Sequence, residues 1–333
     1  MKAIIPVAGI GSQLRPHTHT QPKSLVPIAG KPILAHIIDY LREGGIREFV
    51  FVIGYLGSKI ENYIREEYQD QDIEIRFVVQ APRKGIAHAL YCVKDEIKSA
   101  KELLVFLGDT IIELDIKEFL KSEDSIIGIK KVDNPGKFGV VELDAEGYIK
   151  KLVEKPKIPK SNLAMVGIYK AIEPALLAEA VEYIIDNKIK THGEYQLTDA
   201  LTYMLKKGKK ITTMVVDNWY DCGQKDSLLE ANAILLHKMS PQETEQGPYE
   251  KTILIPPVSI GKNCEISNSI IGPNVAIGDN SSVDYSIIHN SIIGSYSELK
   301  NTVLENSVIG NDTSLKGLSQ NLNIGDNTEI NFS

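Results

Sequence analysis

Two cations and two closely spaced glycines near the start of the chain form its most chemically suggestive stretch. Ala8-Gly9-Ile10-Gly11-Ser12-Gln13-Leu14-Arg15-Pro16 follows a short apolar run, and Gln21-Pro22-Lys23-Ser24-Leu25-Val26-Pro27 comes soon after. Glycine lets backbone approach phosphate oxygens closely, and consecutive N–H groups form a nest for an anion. Ala8, Gly9, Gly11 and Ser12 would line such a nest, with Arg15 and Lys23 adding charge to a phosphate cradle. Two familiar phosphate motifs are excluded. A dinucleotide fingerprint needs glycine where Leu14 stands, and a P-loop needs a Gly-Lys-Ser/Thr that is missing at the required place.

Carboxylates follow at suggestive positions. Asp109 closes the apolar run Val105-Phe106-Leu107-Gly108, where a strand's carboxyl end delivers side chains to a ligand. A turn residue is the bland alternative there. Asp221, in Trp219-Tyr220-Asp221-Cys222-Gly223, could equally cap the helix that follows. Glu154-Lys155 reads either as a polar pair for a ligand or as an exposed ion pair, which would be worth little.

The elements that must position these residues alternate. Apolar runs predict strands over 2–7, 48–53, 73–79 and 102–107, and helical spacing predicts helices over 32–43, 58–68 and 86–97. This alternation implies a largely parallel sheet with helices on both faces, whose ligands sit at the carboxyl ends of the strands. Beyond Asp109 the pattern changes to strands over 126–130, 139–143, 148–154 and 163–169. A helix over 197–207, a strand over 211–216 and a helix over 227–237 then follow.

From residue 252 the chain becomes repetitive. Ile-Gly pairs recur at 260–261, 277–278, 293–294, 309–310 and 324–325, about one β-helix coil apart, and aliphatic residues return every five or six positions between them. Short strands on the faces of a prism, with Asn, Ser, Asp and Gly at its corners, fit this spacing; one coil cannot bury its apolar face alone, so several must stack. The expected organisation is a first domain over 1–237, a linker over 238–251 and a repeat domain over 252–333.

Composition narrows the function. A net charge of −7 disfavours nucleic acid as a partner, which calls for a basic surface. The opening apolar run is too short for a signal peptide or a membrane span. Three scattered cysteines show neither zinc nor disulfide spacing, and a reducing cytoplasm is expected.

Taken whole, the first loop resembles the signature of the sugar-phosphate nucleotidylyltransferases, Gly-x-Gly-Thr-Arg-Leu-x-Pro followed by Pro-Lys-x-Leu-x-Pro. The likeness runs the full length and is closest to long-form glucose-1-phosphate thymidylyltransferases. It implies a Rossmann-like mixed sheet followed by a left-handed parallel β-helix of hexapeptide-type repeats. It further implies that Asp109 and Asp221 hold Mg²⁺, that Lys23 meets the nucleotide phosphates, and that Gln80 and Gly85 read the base. Gly139, Glu154, Lys155, Gly167 and Tyr169 fall in the family's sugar-phosphate segments, with Lys155 on the phosphate. A nucleoside triphosphate and a sugar 1-phosphate are the implied partners, and dTTP, UTP and GTP all stay open. The reacting phosphate oxygen is already ionised, so no general base is needed. His88 is expected to be a packed helix residue.

One position departs from the pattern. Gln13 stands where the family has a catalytic arginine, and glutamine offers no charged fork. Either Arg15 reaches in, the rate is reduced, or the chain is a sugar-nucleotide sensor or scaffold. The β-helix is expected to serve homo-oligomer assembly without chemistry of its own, so that cutting near Met239 spares pyrophosphate release. An acyl transfer through His289 is the rival reading for that region.

Overall fold

The computed structural model describes residues 1–69, 72–239, 249–317, 319–320 and 322–331. Contacts divide it into two compact units, Met1–Gly9 with Ile37–Trp219, and Ile10–His36 with Tyr220–Ser333. Residues 240–248 of the expected linker lie outside the described residues.

The first unit is built on a nine-stranded mixed sheet. Lys2–Val7 runs parallel between Leu103–Phe106 and Glu48–Ile53, and Glu74–Val79 extends this half, also parallel. Continuous aliphatic runs suit strands covered on both faces, and Ala3, Ile4, Ile5, Phe49 and Leu104 are wholly buried. The other half is folded on Leu163–Ala171, which pairs antiparallel with Leu103–Phe106, Ser125–Lys131 and Gly139–Leu143. Ile149–Glu154 forms a hairpin with Gly139–Leu143, turned at Asp144, whose Oδ1 accepts from the N–H groups of Glu146 and Tyr148.

Two differences from the sequence reading have local causes. The helix expected over 86–97 is two, Ile86–Cys92 and Lys94–Ser99, because Val93 leaves helical geometry at φ −118° and ψ 23°. Helix Pro174–Asp186, which apolar spacing did not single out, starts with proline in its first turn, where the missing N–H costs nothing.

In the second unit the repeats form three sheets of five parallel strands each, the arrangement of a left-handed β-helix. Inward residues stack in register, as in Ile271–Ile288–Leu304 and Ile266–Val283–Leu299–Leu315. Corners turn through left-handed backbone at Asn268, Asn274, Asn290, Asn301 and Asn306, a conformation asparagine tolerates well. Buried hydroxyls satisfy the corner amides of the next coil: Ser269 accepts from the Ser286 N–H and Ser281 from the Ser297 N–H. His289 lies in register with Glu305 on a strand of this prism.

The Ile-Gly repeat has a steric origin. A Cβ at Gly294 would lie 2.5 Å from the carbonyl carbon of Gly310 in the next coil, a distance no real contact reaches. Gly294→Ala should therefore destabilise the β-helix by about 1–3 kcal/mol, the cost of overpacking a tight core. The urea midpoint should fall at constant slope; an unchanged midpoint would show that the coils can spread.

Candidate active site

The carboxyl edge of the parallel half carries several of the expected residues. Val7 leads to Ala8 and Gly9, Val79 to Gln80, and Phe106 through Leu107 and Gly108 to Asp109. Gly108 passes so close to the first strand that a Cβ would overlap the Val7 side chain. Leu107 N–H donates to the Gly167 carbonyl at 2.9 Å, tying this turn to the strand that bears Tyr169. Thr110, directly after Asp109, is buried and accepts from the Trp219 indole N–H at 2.7 Å. Trp219 in turn meets Phe138 edge-on, with ring centroids 4.7 Å apart.

Asp109, Glu154 and Tyr169 share one electrostatic environment. Burial pushes the Tyr169 phenol well above its ordinary range, and the negative charges of Glu154 and then Asp109 push in the same direction. The carboxyl of Glu154 is also raised, chiefly by burial; a hydrogen bond from Thr198 Oγ1 at 3.0 Å and the charge of Lys155 oppose the shift. Gly139 lies against Met165 and the Glu154 carboxylate, and Lys155 donates its N–H to the Phe138 carbonyl at 3.0 Å. Gly139, Glu154, Lys155, Gly167, Tyr169 and Asp109 thus gather within the first unit. Thr198 and Trp219 complete their setting.

Gln80 and Gly85 also meet, but through one another. The Gln80 amide Nε2 donates to the Gly85 carbonyl at 3.0 Å and lies 3.1 Å from His88 Nδ1. Gly85, at φ +106°, sits under the Tyr195 backbone, where a Cβ would be 2.5 Å from the Tyr195 carbonyl oxygen. The Gln80 amide thereby helps to shape this turn. His88 serves the same turn from its helix.

The second unit holds the rest of the signature. Gly11 adopts left-handed backbone at φ +68°, and a Cβ there would be 2.9 Å from the Lys23 Cβ. The Thr18 hydroxyl donates to the Gly11 carbonyl at 2.7 Å, closing the loop on itself. Lys23 Nζ lies 3.7 Å from Asp221 Oδ1, which also accepts from the Gly223 N–H at 3.1 Å. A side chain at 223 would collide with both, so the glycine keeps cation and carboxylate together. Ser12, Gln13 and Arg15 lie exposed on the short turn between them, while Leu14 is buried and anchors it. Cys222, where the family has threonine, is fully buried. Among the described residues no group of three or more His, Cys, Asp or Glu forms a metal cluster.

Residues 2–238 fit the family described as Nucleotidyl transferase. The chain belongs to that family. A glucose-1-phosphate thymidylyltransferase from Streptomyces griseus is 31% identical over 88% of this chain and 87% of its own length. The "Bifunctional protein GlmU" of Methanocaldococcus jannaschii is 38% identical over 77% of the chain, which spans only 59% of that protein. Among solved structures, a UDP-glucose pyrophosphorylase complexed with UDP-glucose superposes with a TM-score of 0.63 at 28% identity, covering 72% of this chain and 99% of that one. Members of this family act on a nucleoside triphosphate and a sugar phosphate. Among the described residues no helix is long and apolar enough to cross a membrane.

The raised carboxyl of Glu154 makes a checkable statement about stability. Folding favours its protonated form, so its stabilising share is complete below the unfolded value of 4.5 and is lost as pH rises through the higher folded value. Glu154→Gln, which keeps an acceptor for Thr198, should gain on the parent in thermal unfolding as pH goes from 4 to 8. A constant gap across that range would rule out burial of the charge as the cause.

Proposed function

We propose that this chain is a sugar-1-phosphate nucleotidylyltransferase that joins glucose 1-phosphate to dTTP or UTP and releases pyrophosphate. The observation that carries this reading is Lys23 Nζ held beside Asp221 Oδ1 over Gly223, next to the loop of Gly11. A cation for the triphosphate and a carboxylate for a cation occupy one place, as the reaction of two anions requires.

Each residue then has a task. The backbone of Ala8, Gly9, Gly11 and Ser12 receives the triphosphate, and Lys23 and Arg15 offset its charge. Asp109 and Asp221 would hold Mg²⁺, a hard cation that takes one or two carboxylates together with phosphate oxygens and water. When bound, the ion supplies charge neutralisation at the α-phosphate. Glu154 accepts hydrogen bonds from sugar hydroxyls beside Gly139, Gly167 and Tyr169, and Lys155 pairs with the sugar phosphate. No side chain needs to remove a proton, since the attacking phosphate oxygen is already ionised at neutral pH. Because one Gln80 amide donor already serves the Gly85 carbonyl, base choice falls to Gln80 and Gly85 together with their surroundings rather than to that amide alone. A cytoplasmic location is part of this proposal, supported by nucleoside triphosphates as substrates and by three cysteines without disulfide spacing.

A matrix of dTTP, UTP, CTP, ATP and GTP against glucose, N-acetylglucosamine and mannose 1-phosphates, read by pyrophosphate release, tests the reading. Turnover confined to GTP with mannose 1-phosphate would replace it with a guanylyltransferase. Asp109→Asn and Asp221→Asn should each lower turnover by at least about a hundredfold. Near-parental rates in both folded variants would remove them from the mechanism.

Gln13 supports a second reading, a sensor that binds sugar nucleotides without turnover. Gln13 and Arg15 are both exposed on the signature turn. If one lost charge weakens an ordinary site, Gln13→Arg should raise turnover by tens-fold, the worth of a charged hydrogen bond of about 1.5–3 kcal/mol. If Arg15 has taken over, that gain will be small and Arg15→Ala severe. Binding of UDP-glucose by calorimetry with no turnover in any variant would favour the sensor.

A further inference from the structure

The segment Ile10–His36 packs within the same compact unit as the β-helix and meets one face of that prism at its first and fifth rungs. The face has five rungs, Val258–Ile260, Val275–Ile277, Ile292–Ile293, Val308–Ile309 and Asn323–Ile324. At its first rung Gly30 lies on Ser259, where a Cβ would approach the serine hydroxyl to 2.7 Å. Nearby, the Ala29 N–H donates to Asn232 Oδ1 at 2.8 Å, and Asn232 Nδ2 donates to the Asn274 carbonyl at 3.2 Å. At the fifth rung His17 Nε2 is 2.5 Å from Asn323 Oδ1. The Thr20 hydroxyl donates to Asp326 Oδ2, and Asn311 Nδ2 donates to Gln21 Oε1 at 3.3 Å. Pro16 covers Gly325, where a Cβ would come within 2.9 Å of the proline ring.

These contacts fall between two groups of residues assigned to the triphosphate. Pro16 and His17 follow Arg15 directly, and Thr20 and Gln21 precede Lys23. His17 and Thr18 are buried, so this stretch has little freedom of its own. Within this stretch Thr18 holds Gly11 and thus the turn that bears Gln13.

We propose that the β-helix positions the nucleotide-binding segment, with Asn323 and Asp326 as positioning residues for Gly11 to Lys23. The repeat domain is then part of the scaffold for the reaction and not an assembly module alone. Cutting the chain near Met239 leaves the Ala29–Asn232 bond but removes the β-helix partners Ser259, Asn311, Asn323, Gly325 and Asp326, so the truncated enzyme loses triphosphate handling. This inference rests on the nucleotidylyltransferase reading and sharpens it.

The test uses the full chain carrying Asn323→Ala with Asp326→Ala, beside a control, Glu298→Ala, on a different sheet of the prism. The double variant should raise KM for the triphosphate, or lower kcat/KM for it, by about tenfold or more, as small misplacements of binding groups do. KM for the sugar 1-phosphate should stay within about twofold, and the control should match the parent. Hydrogen exchange in the peptide spanning residues 11–25 should quicken in the double variant only. Asn323→Asp, which keeps an acceptor for His17, should restore most of the loss when introduced in place of Asn323→Ala. A folded double variant with parental exchange and parental kinetics overturns the proposal. Equal losses for both substrates, together with a lowered melting temperature, overturn it as well, since that is general destabilisation. If the double variant fails to fold, Thr20→Val removes one contact from the loop side and is read by the same criteria. Should the parent be inactive with every substrate pair, the enzymatic reading falls, and the exchange measurement alone decides whether the β-helix holds the segment.

Discussion

The site depends on keeping a cation and a carboxylate close without letting them matter much to folding. Lys23 and Asp221 meet at 3.7 Å with side chains 16% and 44% exposed, so solvent at the carboxylate screens the pair and limits its share of stability. Their proximity is imposed instead by surrounding backbone: Gly223 leaves room for both, and Gly11 lets the loop close against the stem of Lys23.

The first unit solves the complementary problem, placing a carboxylate where water is scarce. Burial is the main cause that raises both the Glu154 carboxyl and the Tyr169 phenol above their ordinary ranges. A hydroxyl-rich sugar is a suitable guest for such a place, because it supplies hydrogen bonds without a counter-ion. Thr198 already occupies one carboxylate oxygen and so fixes the direction in which the other faces.

Much of this was readable from residue order. Continuous aliphatic runs located the parallel strands, since burial on both faces leaves no alternation to misread, and the Ile-Gly period announced the β-helix. Asp109 and Lys23 stood out because a strand end and a glycine loop are places where polar groups converge. What escaped reading was set by contacts distant in sequence. Nothing around Thr198 or Tyr195 marks them as neighbours of Glu154 and Gly85. The use of Gln80 for its own turn depends on where Gly85 and His88 come to lie. Likewise His17, Thr20, Asn323 and Asp326 are single polar residues without period, so the packing of the signature segment along the prism left no trace in spacing.

That packing sets a length. Solenoids ordinarily gain or lose a coil cheaply, because each coil touches only its neighbours. Here one short stretch of chain is fastened to the first rung at Gly30 and to the fifth at His17, four steps of about 4.8 Å apart. It behaves as a calliper closed on the prism. Inserting or deleting a coil between Ser259 and Asn323 would move one jaw by a full step and leave His17 facing a different residue. The number of coils between these two points is therefore fixed by the loop, whereas coils added beyond Asn331 would be unconstrained by it.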